Sequence, residues 1–348
     1  MPTPVPIEHA RRSLFAAASG RRWLALGASV LCCLACPHAR AQRLDLSTFA
    51  PPPSDAATFT IAAPSAPPHG TIEIGLFTDY AHRLLDRTID CAGLIDPACT
   101  AGRAAATIKV PHLAESALLL NIGLFDALTL GAALPVSLTQ VDAHGATMQA
   151  GLSDLSLALK ATMLGVGPTR VAFQLQLSLP TAAKTSWTGD PDASLTPSVI
   201  VSQAIGRVML AAELGYHMRR RQQLLEIEQD DELVLAVGAH YPFARSLAAV
   251  AELNARLGIG GRRFTRAESP EEIDLGLRIG GLPGVQLDLG VGTAAWPGER
   301  GAGAPDVRGF LILRTAFETA RCEYGPEDYD GFEDADGCND PDNDRDGI

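Results

Sequence analysis

The chain has 348 residues, 47% hydrophobic and 20% charged, a balance that excludes a disordered polymer. Its net charge of −12 is concentrated in residues 322–348, where eleven acidic residues face one basic residue, Arg345. The remaining body carries 27 basic against 29 acidic residues and so has no nucleic-acid-binding footprint.

The N-terminus reads as a secretory signal over 1–41. Arg11, Arg12, Arg21 and Arg22 form a basic region, residues 23–35 an apolar core, and Ala39-Arg40-Ala41 a small-residue cleavage site. Beyond it no run of eighteen apolar residues occurs, so no transmembrane helix is expected in the mature protein. Cys32, Cys33 and Cys36 leave with the signal, and Cys91, Cys99, Cys322 and Cys338 remain. Four cysteines allow three pairings; proximity in sequence favours Cys91–Cys99 and Cys322–Cys338 in an exported chain. Residues 42–70 are rich in Pro, Ala and Ser, among them Pro51, Pro52, Pro53, Pro64, Pro67 and Pro68, and read as an extended linker or lead-in.

From residue 71 to about 320 the dominant signal is alternation. In the stretch 170–180, Val171, Phe173, Leu175, Leu177 and Leu179 occupy one face, with Ala172, Gln174, Gln176 and Ser178 on the other. The same period-two pattern recurs from Ile72 to Tyr80, where a long loop carrying Cys91 and Cys99 is expected to follow. It recurs again near Leu118, Leu128, Leu155, Val208, Leu233, Leu247, Ile273, Val285 and Val307. Tight turns are expected at Phe125-Asp126, 165–169 and 282–284. The count is about twelve strands of roughly eight to twelve residues, a length suited to tilted bilayer spans. Short turns tend to alternate with longer polar loops, as in outer-membrane barrels. The polar face is dominated by Gly, Ala, Ser and Gln. It also carries Lys160, Glu213, Glu252, Arg256, Asp274, Arg278 and Asp288, charges of both signs suited to pairing inside a narrow lumen. Aromatics are only 5% of the chain, yet Tyr80, Phe125, Tyr216, Tyr241, Phe243 and Trp296 lie near strand ends, where an interfacial girdle belongs. The fold class is therefore all-β: an antiparallel transmembrane β-barrel of about twelve strands followed by a short acidic tail. The competing architecture is a soluble β-sandwich.

The tail, 321–348, reads as a calcium-binding repeat. Asp342, Asp344 and Asp346 alternate and Gly347 follows, the D-x-D-x-D-G opening of a loop whose carboxylates converge on one hard cation. Asp328, Asp330, Asp334, Asp336 and Asp340 complete the candidate Ca2+ ligands. The sequence stops at Ile348 before any later ligand of that last loop, so weak affinity is expected of the tail as given.

Four stretches carry a family resemblance: the leader; the Gly-Leu-Ser-Asp-Leu-Ser-Leu-Ala-Leu-Lys strand over 151–160; the Leu-Ser-Leu-Pro-Thr strand end over 177–181; and the Pro-Glu-Asp-x-Asp-Gly-Phe-Glu-Asp-x-Asp-Gly-Cys run over 326–338. Together they resemble OmpA-type outer-membrane proteins with thrombospondin type 3 calcium repeats, of the myxobacterial kind. The resemblance implies an outer-membrane location with the tail in the periplasm, and a following domain that binds peptidoglycan. Asn339 stands where a proline commonly follows the cysteine, and no peptidoglycan-binding domain is present in this sequence.

Catalytic signals are sparse. His217 and His240 project to the polar face with no Cys or carboxylate at metal-ligand spacing. Asp190 has no sequence neighbour of His or Ser type that would make it a catalytic acid, and no serine sits in a nucleophile elbow. The expectation is a non-enzymatic, structural or porin-like outer-membrane barrel in contact with lipid. A surface adhesion module and an outer-membrane hydrolase on a twelve-strand barrel are the alternatives.

Overall fold

The computed structural model describes residues 44–90, 105–142, 146–165, 167–182, 187–224, 227–259, 266–282, 284–296, 298 and 300–317. The expected signal peptide, all four remaining cysteines and the acidic tail lie outside the described residues.

The strands run in chain order as β1 (Ile72–Asp90), β2 (Ala105–Leu124), β3 (Leu128–Asp142), β4 (Ala146–Leu152), β5 (Leu155–Leu164), β6 (Thr169–Leu179), β7 (Ser194–Ile205) and β8 (Val208–His217). They continue as β9 (Gln222–Leu224), β10 (Ile227–Gln229), β11 (Glu232–Ala244), β12 (Leu247–Gly258), β13 (Glu271–Leu282), β14 (Val285–Ala294) and β15 (Val307–Phe317). Strands β4 and β5 both pair with β3 and act as one wall strand interrupted at Ser153-Asp154. Strands β9 and β10 form a separate small hairpin. Antiparallel pairing of β1 with β15, from Ile72 opposite Phe317 to His82 opposite Val307, closes the sheet. Among the described residues the wall is thus a closed antiparallel barrel of twelve strands. Among the described residues closure leaves no second large sheet to pack against the first, which removes the sandwich alternative.

The alternation acquires its physical meaning here. In β6, Ala172 and Gln174 are buried inside the barrel while Phe173 is exposed on its outer face. Exposed Leu, Ile and Val side chains continue around the wall on β1, β2, β3, β8, β12, β13 and β14. All six aromatics expected at the strand ends are exposed, as a lipid-facing girdle requires.

One end of the barrel has tight turns. At Leu124-Phe125-Asp126-Ala127 both central residues have positive φ, 55° and 57°, and Ala127 N–H donates to the Leu124 carbonyl at 3.2 Å. This is the type I′ geometry that follows the right-handed strand twist. Phe125 tolerates the left-handed conformation poorly. His69 braces it: the rings stack at 5.5 Å, and the His69 N–H donates to Asp126 Oδ1 at 2.7 Å. The other end carries the long connections, including 180–193, 218–231, 259–270 and 295–306.

Strands β1 and β2 reach 19 and 20 residues, so the cysteine-bearing loop begins after Asp90 rather than after Tyr80. A register shift between His82 and Leu85 lets the consecutive Leu84 and Leu85 both turn inward. They pack there against Ile108, Val110 and Leu113, which stabilises strand well past the point where simple alternation stops.

Candidate functional site

The lumen is not empty. Residues 44–70, whose composition predicts an extended lead-in, run through the barrel from end to end. At the turn end Gly70 N–H donates to the Gly123 carbonyl at 2.9 Å. Midway, residues 55–63 fold into a tight hairpin, with Ala57 N–H to Ile61 O at 2.9 Å and Ala63 N–H to Asp55 O at 2.8 Å. At the loop end Leu46 N–H donates to Trp187 O at 2.9 Å, and Leu44 and Leu46 sink into an apolar cluster with Leu84, Val110, Leu113 and Trp187.

The wall grips this segment chiefly by its backbone. Arg314 Nη1 donates to Ser54 O at 2.6 Å and its Nη2 to Pro52 O at 3.2 Å. Arg278 donates from Nη1 to the carbonyls of Ala56 and Ala57 at 3.2 and 3.0 Å and from Nη2 to that of Thr58 at 2.9 Å, while its Nε and Nη2 hold Asp288 at 2.9 and 3.0 Å. Lys160 Nζ bonds Ala63 O at 2.5 Å, Ser65 O at 3.0 Å and Asp55 Oδ1 at 2.5 Å. Glu252 accepts the Phe59 and Thr60 N–H groups at 2.8 and 3.1 Å and also the Thr60 hydroxyl. A buried hairpin this short leaves many carbonyl and N–H groups without partners of its own. The charged wall supplies them, since unmet backbone groups away from water are costly.

Side chains complete the fit. Phe49 and Phe59 pack on Phe310 with ring centroids 4.7 and 4.8 Å away, and Arg308 lies 5.0 Å over Phe49. Arg308 is also clamped by Glu272, with bonds of 2.7 and 3.1 Å, and by Asp79. Where the segment runs closest to the wall the wall residue is glycine. A Cβ on Gly131 would overlap the Pro53 carbonyl, and one on Gly238 would come within 2.7 Å of Thr58 Cγ2. A small cavity of about 170 Å³ with mixed lining remains beside the segment, with Ser156, Gln174, Gln176, Thr196, Glu213 and Asn254 among its polar residues.

At the loop end the segment joins a charged cluster. Arg219 reaches Asp190 and Glu232 at 3.3 Å each and Asp45 at 3.8 Å, and Gly189 N–H donates to Asp45 Oδ1 at 2.9 Å. Burial opposes ionisation of Asp190, but Arg219 and then His217 outweigh it and hold this carboxyl well below the usual range. The Arg219 guanidinium is itself desolvated, yet Glu232 and Asp190 raise it further above its already high value.

The closed wall, its apolar outer belt and its girdle decide the architecture. The fold is that of an outer-membrane β-barrel. The crystal structure of the COG4313 outer membrane channel from Pseudomonas putida F1 is similar to it with a TM-score of 0.52 at 13% identity, over 73% of this chain and 97% of that one. The NanC porin aligns at a TM-score of 0.45 and 10% identity, over 70% of this chain and 99% of the porin. No family model and no curated protein matches the sequence.

The candidate calcium ligands Asp328, Asp330, Asp334, Asp336, Asp340, Asp342, Asp344 and Asp346 all lie outside the described residues. The sequence-based reading of the imidazoles changes at His217. Residues 187–193 fold back to the end of β8, so that Asp190 lies 3.3 Å from His217 Nε2, and Thr196 Oγ1 of β7 lies 2.7 Å from Nδ1. These contacts join residues 21 and 27 positions apart, beyond the reach of a local motif. Asp190 is also bonded to Arg219 and, at 3.3 Å, to Gln222, so the cluster fastens the loop to the wall.

Sequence reasoning missed the occupant of the lumen. A signal for it existed in the runs Leu118-Leu119-Leu120 and Leu311-Ile312-Leu313, which are apolar on both faces of their strands. Leu119, Phe77, Phe310 and Ile312 point inward and form one apolar sector with Phe49 and Phe59. A wall that is apolar on its inner side needs something apolar within.

Proposed function

We propose that this chain is a porin-like outer-membrane channel held shut by its own residues 44–70, and that solute passage requires this segment to shift or leave. The observation that carries the reading is the continuous occupancy of the lumen, with four charged wall residues, Arg314, Arg278, Lys160 and Glu252, bound to the segment's backbone. The segment is held both by these bonds and by buried apolar side chains, Leu44, Leu46, Phe49, Phe59 and Ile61, so its release needs both grips to yield. The role is non-catalytic. Planar-bilayer recordings test it: the full chain should give rare or small steps, and a chain lacking 44–66 large steady ones. Equal conductance from both would refute the gate.

The acidic tail extends the proposal. Its alternating aspartates and glycines support a calcium-stiffened periplasmic stalk that leads, in proteins of the resembled kind, toward the cell wall. Calorimetry on the tail peptide should register binding at millimolar calcium; its absence would reduce the tail to a charged linker.

A further inference from the structure

Toward the loop end, two imidazoles meet on the outer face of the wall. His82 of β1 and His112 of β2 are direct cross-strand partners, on the same face as exposed Tyr80 and opposite to buried Ala81 and Leu113. Their Nδ1 atoms lie 3.4 Å apart and their ring centroids 5.0 Å apart, so the rings turn their Nδ1 corners toward each other. Tyr80 brings its Oη to 2.5 Å from His112 Nδ1 and its ring to 5.8 Å from that imidazole. The pairing is irregular on both sides of this spot. The β1–β2 register shifts just after His82, and the β2–β3 register just before His112. Such irregularities re-aim side chains and are frequent beside functional sites.

Two ring nitrogens this close cannot both point a proton at each other, because one of them has to accept. At least one lone pair therefore already faces the gap, and moving the other ring's proton to its Nε2 presents the second. The spacing itself suits a chelate. Two nitrogens about 2.0–2.1 Å from a tetrahedral zinc stand roughly 3.3–3.4 Å apart. Imidazole suits zinc, copper and nickel, whereas calcium and magnesium take oxygen ligands. Among the described residues no third His, Cys, Asp or Glu joins the pair. Water is at hand, since Arg83, Asp86 and Lys109 just beyond the pair are exposed. The two cations among them are matched by carboxylates, Arg83 by Asp306 at 2.8 Å and Lys109 by Asp86 at 3.4 Å.

We propose that His82 and His112 form a cross-strand site for a divalent transition metal of the zinc class, bound through the two Nδ1 atoms, with water filling the remaining positions. The bound ion ties β1 to β2 where their register slips, just before Leu84 and Leu85 enter the apolar cluster. The site lies on the outer face of the wall and is independent of whether the lumen opens.

The test uses the full folded chain in detergent. Diethyl pyrocarbonate acylates unprotonated imidazole nitrogens. A ring bound to a metal through Nδ1 keeps its proton on Nε2 and has no lone pair left to react. Modification is read at each histidine by peptide mass mapping, with and without a few equivalents of zinc, so that metal held elsewhere in the chain is not mistaken for this site. Zinc should shield His82 and His112 together and over the same range of zinc concentration. Calcium should shield neither, and His69, at the turn end, should react alike in both conditions. In His82→Gln the zinc needed to shield His112 should rise roughly tenfold or more, since even the loss of an outer-shell partner costs about 10–100-fold in metal affinity. His112→Gln should do the same to His82. Heat-modifiable gel migration confirms that each variant is folded. Shielding of neither histidine or of only one, equal shielding of His69, shielding by calcium, or shielding of His112 indifferent to His82→Gln would overturn the proposal.

Discussion

Residues 52–65, in the middle and toward the turn end of the lumen, are held by Arg314, Arg278, Lys160 and Glu252 through main-chain bonds. Residues 44–46, at the loop end, add to the polar contacts of Asp45 with Gln229, Gly189 and Arg219 two leucine side chains sunk among Leu84, Val110, Leu113 and Trp187. The polar grip depends on backbone position and on the small Ala, Pro and Ser side chains that let the wall reach it, with Phe59 and Ile61 buried beside it. The apolar grip depends on side-chain volume and is not weakened by salt screening. A segment fastened by two unlike forces can be loosened at one end while the other stays in place, and that independence can be tested.

The largest effect is expected for Arg278→Ala. The change leaves three carbonyls unbonded and Asp288 buried without its partner, a defect that costs about 3–5 kcal/mol. Denaturant unfolding followed by gel mobility should show a loss of that size, with faster hydrogen exchange at 56–58 and little change at 44–46. Next comes the single variant Leu46→Ala. Removing this buried leucine from the cluster should cost roughly 2–5 kcal/mol locally and speed exchange at the loop end while residues 52–65 stay protected. Gly131→Leu should follow at about 1–3 kcal/mol, because its Cβ would occupy the place of the Pro53 carbonyl and push the segment off the wall there.

The smallest effect is acidic loosening of the loop end. The folded state holds the Asp190 carboxyl below its unfolded value, so its contribution is fully present above about pH 4 and is lost progressively as pH falls below that point through the lower folded-state value. Protection factors at 187–192, taken relative to intrinsic exchange at each pH, should fall on acidification, and Asp190→Asn should flatten that dependence.

The barrel was legible because lipid and lumen impose opposite chemistries on alternate residues. Phe173 and Gln174 differ as much in sequence as in burial. The hairpin turns were legible for a similar local reason. The internal segment was not, because Ala, Pro and Ser suit a solvated linker and a narrow lumen equally well. The information that separates the two lies elsewhere, in Gly131, Gly238, Arg278 and Phe310, on strands far away in the chain. The His217–Asp190–Arg219 cluster was hidden for the same reason, since a loop has to fold back before its carboxylate finds its partners. The extra length of β1 and β2 escaped because a register irregularity at His82–Leu85 breaks the alternation that otherwise marks a strand.

The central claim is that the lumen is filled by the chain's own segment and that this filling closes it. Thr60 Oγ1 and Asn254 Oδ1 lie 2.7 Å apart, one on the segment and one on β12. Thr60→Cys with Asn254→Cys should therefore form a cross-link in the folded barrel, identifiable by peptide mass mapping against the natural cysteines. Single-channel recording of that barrel should show a closed pore that gains openings only after reduction. Failure of the two cysteines to join, or a cross-linked barrel that conducts as freely as the reduced one, would contradict the account.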